Sequence, residues 1–82
     1  PLSGANADIG EALLNAAQLA LFDVGADHFE LIPRDTAGTA AGATSAAQAV
    51  LAQGAQLILG PLFAEEVRAI KPVAAAANVT VI

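Results

Sequence analysis

The sequence predicts an α/β fold built on a parallel sheet, and three observations carry that prediction. The first is the run Leu57-Ile58-Leu59-Gly60-Pro61-Leu62-Phe63, aliphatic until it stops at Gly-Pro, where helical periodicity takes over. Consecutive aliphatics bounded by glycines suit a strand buried on both faces. Pro61 has no N–H to give a ladder, so it ends the strand, and it is well tolerated just before a helix. The second is a matching phrase at the start, Pro1-Leu2-Ser3-Gly4, which also opens into a helical pattern. The third is the alternation of strand-like and helix-like segments, with connections of the length that right-handed crossovers need. Ligands in such sheets bind beyond the carboxyl ends of the strands, so these two turns mark where a site would lie.

Taken in order, Ala7–Val24 is predicted helical. Ile9, Leu13, Ala16, Ala17, Ala20 and Val24 recur at three- and four-residue spacing, against a polar stripe of Asp8, Glu11, Asn15 and Gln18. Asn6 or Asp8 is placed to cap the start and Gly25 to stop the helix. His28–Arg34 reads as a strand, which Pro33 either confines to an edge or ends. Asp35–Gly42, rich in Gly, Thr and Asp, reads as a loop. A second helix is expected from about Thr44 to Gln53, with Ala43, Ala47, Val50 and Leu51 on one face and Gly54 closing it. After the strand Leu57–Leu59, a third helix runs from about Ala64 to Ala77. Pro72 lies inside it and predicts a kink or a fresh helix start. Asn78 suits the left-handed position after a helix, and Val79–Ile82 begins the next strand.

Composition narrows the function classes. In 82 residues there are 22 alanines, three Phe and no Trp, Tyr or Met, so a core must come from Leu, Ile, Val and Ala. A chain this size buries roughly 60–65% of its unfolded surface. Net charge is −5, with only Arg34, Arg68 and Lys71 positive. That is the wrong balance for nucleic acid, which needs clustered cations to displace phosphate counterions, and for a polybasic membrane patch. No apolar run approaches the roughly 20 residues that span a bilayer. Without cysteine, no disulfide or thiol chemistry operates in this segment. The chain begins in mid-loop and ends in an apolar segment, so both ends read as cut from a longer α/β protein, and any signal peptide would lie outside it.

The chemistry-bearing residues form no catalytic or metal-binding constellation. Gly4 and Gly10 flank a helix start, but neither Lys-Ser/Thr nor G-x-G-x-x-G spacing accompanies them, so they read as turn and close-packing glycines. His28 lies near Asp23 and Asp27, yet no second His or Cys completes a metal set; an exposed histidine at a strand entrance fits better. Glu65 and Glu66 are adjacent on a helix, about 100° apart, and read as acids complementing the helix dipole, not as a paired acid and base. Asn78-Val79-Thr80 matches a glycosylation sequon, but Asn78 already has a backbone role. Ser3 has no His or acidic partner at nucleophile-elbow spacing. What remains is positional. Ser3, Gly4, Gly60, Pro61 and Leu62 lie where strands hand over to helices, with helix N–H groups aimed at a cleft and able to take anions. No cofactor, metal or catalytic residue is expected.

Taken together, Pro1-Leu2-Ser3-Gly4, the following Gly10, Arg34-Asp35-Thr36 after the second strand, and Leu59-Gly60-Pro61 before the third helix resemble type 1 periplasmic binding proteins, the leucine/isoleucine/valine-receptor-like group. The resemblance implies a Rossmann-like, three-layer parallel sandwich forming one lobe of a two-lobed protein. Residues 1–82 would be a partial N-terminal lobe whose first strand is missing. In the family that strand lies between those corresponding to His28–Arg34 and Leu57–Leu59. Amino-acid receptors of the group often carry Gly-Pro-x-x-Ser, whose serine holds the ligand; here Ala64 stands at that position, with Phe63 adding bulk. The runs Leu59–Ala69 and Leu13–Asp23 look more like penicillin-binding protein activators, envelope proteins that stimulate peptidoglycan synthases by contact. The resemblance therefore implies a non-enzymatic periplasmic domain binding a peptidoglycan synthase through an activator-type fold. The alternative is the amino-acid receptor of an ABC permease, with a small-molecule ligand; a flavodoxin-like enzyme fragment is the third reading. The ligand-binding positions would be Ser3, Gly4, Gly60, Pro61, Leu62, Phe63 and Ala64.

Overall fold

The apolar runs and helical stripes become three helices and two short strands in a computed structural model that describes residues 1–25 and 28–82. Their order is α1 (Ala7–Asp23), α2 (Ala40–Ala52), β1 (Leu57–Ile58), α3 (Ala64–Ala76) and β2 (Thr80–Val81). The strands are parallel, with Leu57 opposite Thr80 and Ile58 opposite Val81. Pairing runs on past them: Ile82 N–H donates to the Ile58 carbonyl at 2.9 Å, and Gly60 N–H to the Ile82 carbonyl at 2.8 Å. Peptide groups alternate in direction along a strand, so Leu57 and Leu59 turn theirs to the opposite, unpaired edge.

The core sits on one face of this pair. Ala43 and Ala47 of α2 meet Ile70 of α3, each at most 4% exposed, and Ile58, Val73 and Val81 pack against them. Alanine at the α2 contact positions lets the two helix backbones approach closely, which is how an alanine-rich chain makes a core without aromatics. α1 takes no part in that cluster. Its half-buried Leu14 and Leu21 face instead onto a groove of about 1040 Å³, shared with Ala47 and Val50 of α2, Leu31 and Ile58.

Several expectations need correction. His28–Arg34 is not a strand: Phe29–Thr36 has no regular structure, and no backbone hydrogen bond among the described residues joins Phe29–Arg34 to β1. An alternating apolar pattern cannot make a strand without a ladder partner, and the groove lies where that partner would be. Asp27, weighed above beside His28, lies outside the described residues. α2 starts at Ala40, not Thr44, because Thr39 caps it, its hydroxyl accepting from Gly42 N–H at 2.9 Å. Thr44 bonds back to the Ala40 carbonyl inside the helix. Asn6 holds the N-cap position of α1 but makes no side-chain cap bond, and Asp8 lies in the first turn. α3 runs through Pro72 as one helix, with neither a break nor a fresh start. Asn78 takes the expected left-handed conformation, φ 58°.

The open groove sets stability. Leu57 and Leu59 are 46% and 59% exposed and offer an unpaired edge. The 82-residue chain alone is expected to unfold with a shallow thermal transition; a sharp monomeric transition above roughly 60 °C, the upper part of the ordinary mesophile range, would contradict this reading of the groove.

Candidate ligand-binding cleft

At the carboxyl end of the strand pair, loops that are far apart in sequence are tied together by two adjacent residues. Asp35 is the first. Its Oδ1 accepts from Leu2 N–H at 2.6 Å, from Ser3 N–H at 3.2 Å and from Ala37 N–H at 2.8 Å, and its Oδ2 accepts from the Ser3 hydroxyl at 2.5 Å. Thr36 is the second. Its hydroxyl donates to Glu66 Oε1 at 2.5 Å and accepts from Gly38 N–H at 3.2 Å. Glu66 Oε2 in turn accepts from Phe63 N–H at 3.3 Å, which fixes the entry to α3. Glu66 is 1% exposed. A buried carboxylate is tolerated only when its oxygens are satisfied, and here a hydroxyl and an amide do so.

Two glycines let these loops meet the helices at close range. A Cβ on Gly10 would lie 1.5 Å from the Pro1 carbonyl oxygen, and one on Gly42 would lie 1.9 Å from that of Thr36. Each helix start is therefore seated directly on a loop backbone. Gly60 has φ 96° and is joined to Pro61 by a cis peptide bond. Gly60, Pro61 and Leu62 line the same groove as Pro1, Leu2 and Thr36.

The expected site residues divide accordingly. Gly60, Pro61 and Leu62 face the groove; Ser3, Gly4, Phe63 and Ala64 lie outside its lining. At the Ser3–Gly4 turn the loop amides are partly engaged. The Ser3 N–H goes to Asp35, and the Gly4 carbonyl accepts from Ala7 N–H. At the other turn, Phe63 N–H is spent on Glu66, whereas the amides of Ala64 and Glu65 have no partner among the described residues. Ala64 offers only a methyl group there. Residue types gave no warning of Asp35 and Glu66. An acid at the start of a Gly- and Thr-rich loop and one at the third position of a helix, the second half of a capping box, are the signals that would have found them. Glu66 lies in the first turn of α3, as expected of a dipole-complementing acid, and is also a buried tie. Arg34 bonds Gln53 Oε1 at 2.6 Å and the Pro33 carbonyl, and so is held at the end of α2. Among the described residues no group of His, Cys, Asp and Glu is arranged to hold a metal, and no helix is long and apolar enough to cross a membrane.

A family model described as periplasmic binding protein matches residues 1–82. No curated protein and no solved structure matches the chain. Proteins of that family are generally non-enzymatic, usually bind small ligands, and work in the periplasm or cell envelope, and the parallel strands and packed helices seen here are consistent with its α/β fold.

The Asp35 contacts carry a pH signature. The Ser3 hydroxyl first, then the amides of Leu2 and Ala37, hold its carboxyl down from 3.8 to about 2. A depressed carboxyl stabilises the native arrangement above its unfolded pKa, so the tie should be complete above about pH 4 and be lost as pH falls through about 2. NMR titration of the Leu2, Ser3 and Ala37 amides should show a common midpoint near pH 2. Midpoints near 4, or three unrelated curves, would show that the carboxylate is not their shared acceptor.

Proposed function

We propose that this chain, which belongs to the periplasmic binding protein family, is part of the N-terminal lobe of a non-enzymatic, penicillin-binding protein activator-like envelope protein, and that a peptidoglycan synthase is its partner. The observation that carries the activator reading is Ala64 at the first position of α3, beside the open amides of Ala64 and Glu65. Amino-acid receptors of the group often place a serine hydroxyl at this point to hold the ligand, and a methyl group cannot supply it. Phe63, about one-third exposed, stands next to it. The cleft would be formed by Ser3, Gly4, Gly60, Pro61, Leu62, Phe63 and Ala64, on loops that Asp35, Thr36 and Glu66 hold in register.

The lobe itself is proposed to be a three-layer parallel sandwich. The groove between α1 and α2 has apolar walls, and Leu57 and Leu59 direct peptide groups into it. It suits one further parallel strand, which would turn Phe29–Arg34 and β1 into members of one sheet. In that arrangement α1 would cover one face, and α2 with α3 the other.

A second reading, the amino-acid receptor of an ABC permease, draws on those same open amides, since a helix N-terminus takes a carboxylate without basic side chains. The two readings part on affinity. A hydrogen bond to a charged ligand group is worth roughly 1.5–3 kcal/mol, so loss of the serine hydroxyl should weaken amino-acid binding by about ten- to a hundredfold. In a thermal-shift screen of the full-length protein against the common amino acids, micromolar ligand should leave the melting temperature unchanged, because stabilisation follows ln(1 + [L]/Kd). Ala64→Ser should recover little binding unless the second lobe also carries amino-acid contacts. A clear shift with leucine or any other amino acid at that concentration would overturn the activator reading in favour of the receptor.

A further inference from the structure

The corner where Pro1–Gly4 meets Asp35 has a polarity opposite to that of the α3 turn. A serine hydroxyl carries one proton and two lone pairs. The Ser3 proton is committed to Asp35 Oδ2, and the amides of Leu2 and Ser3 are committed to Oδ1. Ser3 is exposed, so what its side chain can offer an incoming group is lone pairs alone, with a carboxylate of unusually low pKa directly behind it. The arrangement is held from the far side as well. Asp35 also accepts from Ala37, and its neighbour Thr36 is anchored to buried Glu66, so the backbone that carries the carboxylate is tied to α3. Gly4 keeps the one amide of residues 2–4 with no partner among the described residues.

We propose that Asp35 is a positioning and specificity-determining residue of this cleft: it locks Ser3 with its proton turned inward, so that the corner accepts hydrogen bonds and selects a ligand group that donates them, an ammonium or an amide N–H, over a carboxylate. This rests on the reading of the strand-end loops as a binding cleft. Combined with the open amides at Ala64 and Glu65, it gives the cleft an accepting corner and a donating turn. An occupant carrying both a donor and an acceptor is oriented by that difference.

Asp35→Asn tests the assignment because it is nearly isosteric. The amide oxygen still accepts from Leu2, Ser3 and Ala37, while the NH₂ group now donates to Ser3 Oγ and frees the serine proton to point outward. The corner would change from acceptor to donor with its geometry kept. The ¹⁵N-labelled full-length protein is titrated with glycinamide, a cation bearing N–H donors and no carboxylate, and with sodium acetate at equal ionic strength. In the wild type, the Leu2 and Ser3 amides should respond to glycinamide with an affinity about tenfold or more above acetate, the worth of one charge-assisted hydrogen bond. Asp35→Asn should lose or reverse that preference. Ser3→Ala, which leaves the three amide bonds to Asp35 intact, should lose it too, and so covers the case of an Asn variant that fails to fold. A merely structural role for Asp35 would lower stability without changing the preference between probes. Equal or stronger response to acetate, no response to glycinamide at Leu2 and Ser3, or an unchanged preference in both variants would overturn the proposal. The two failures separate: a melting-temperature rise with an amino acid defeats the activator reading, whereas only these amide shifts bear on Asp35.

Discussion

The dipeptide Asp35-Thr36 is the point on which the functional end of this molecule depends. Asp35 reaches back to Leu2 and Ser3, Thr36 reaches forward to Glu66, and Glu66 closes on Phe63. Three loops separated by about thirty residues each are thereby tied together by the side chains of two adjacent residues. Each long-range tie is a hydrogen bond with an ionised acceptor or a buried one, the kind that gains most and costs most to break. The sheet contributes little of this order, since its two strands pair over only a few residues.

Hydrophobic packing and loop placement are divided between different parts of the chain. Ala43, Ala47, Ile70 and Ala74 bury almost completely between α2 and α3, and Ile58 and Val81 join them from the strands. α1 contributes apolar side chains to the groove but none to that cluster. Its position is set from its N-terminal end, where Gly10 lies against the Pro1 carbonyl. The well-packed half thus adjoins the Gly60–Ala64 turn, while the Ser3 corner is held by its hydrogen bonds to Asp35 and by the seat of Gly10 on Pro1.

The helices were legible because their cues are local. Three- and four-residue spacing in α1, the Gly-Pro stop before α3 and the left-handed Asn78 each act within a few residues. Errors arose where a distant partner decides the outcome. His28–Arg34 has strand-like residues, yet a strand exists only if another backbone lies beside it. Thr39 outcompeted Thr44 for the start of α2 because Gly42 lets that turn sit on Thr36, a contact six residues away in sequence that spacing does not reveal. Proline in mid-helix predicts a kink or a fresh start, but α3 is one continuous helix, and at Pro72 its face is exposed, so water can satisfy the freed Arg68 carbonyl. Among the expected site residues, Gly60, Pro61 and Leu62 were picked out by turn chemistry. The ties made by Asp35 and Glu66 were not, since a carboxylate's role is set by what the fold brings to it.

The contact between Gly10 and Pro1 has a mechanical consequence. With no space for even a methyl group between helix and loop, the start of α1 and the Pro1–Gly4 segment must travel together. α1 has 17 residues, about 25 Å at the helical rise, and its far end carries the strongly exposed Phe22 and Val24. Any difference in the tilt of α1 is therefore met first at the Pro1–Gly4 segment, beside the bonds that Ser3 makes with Asp35.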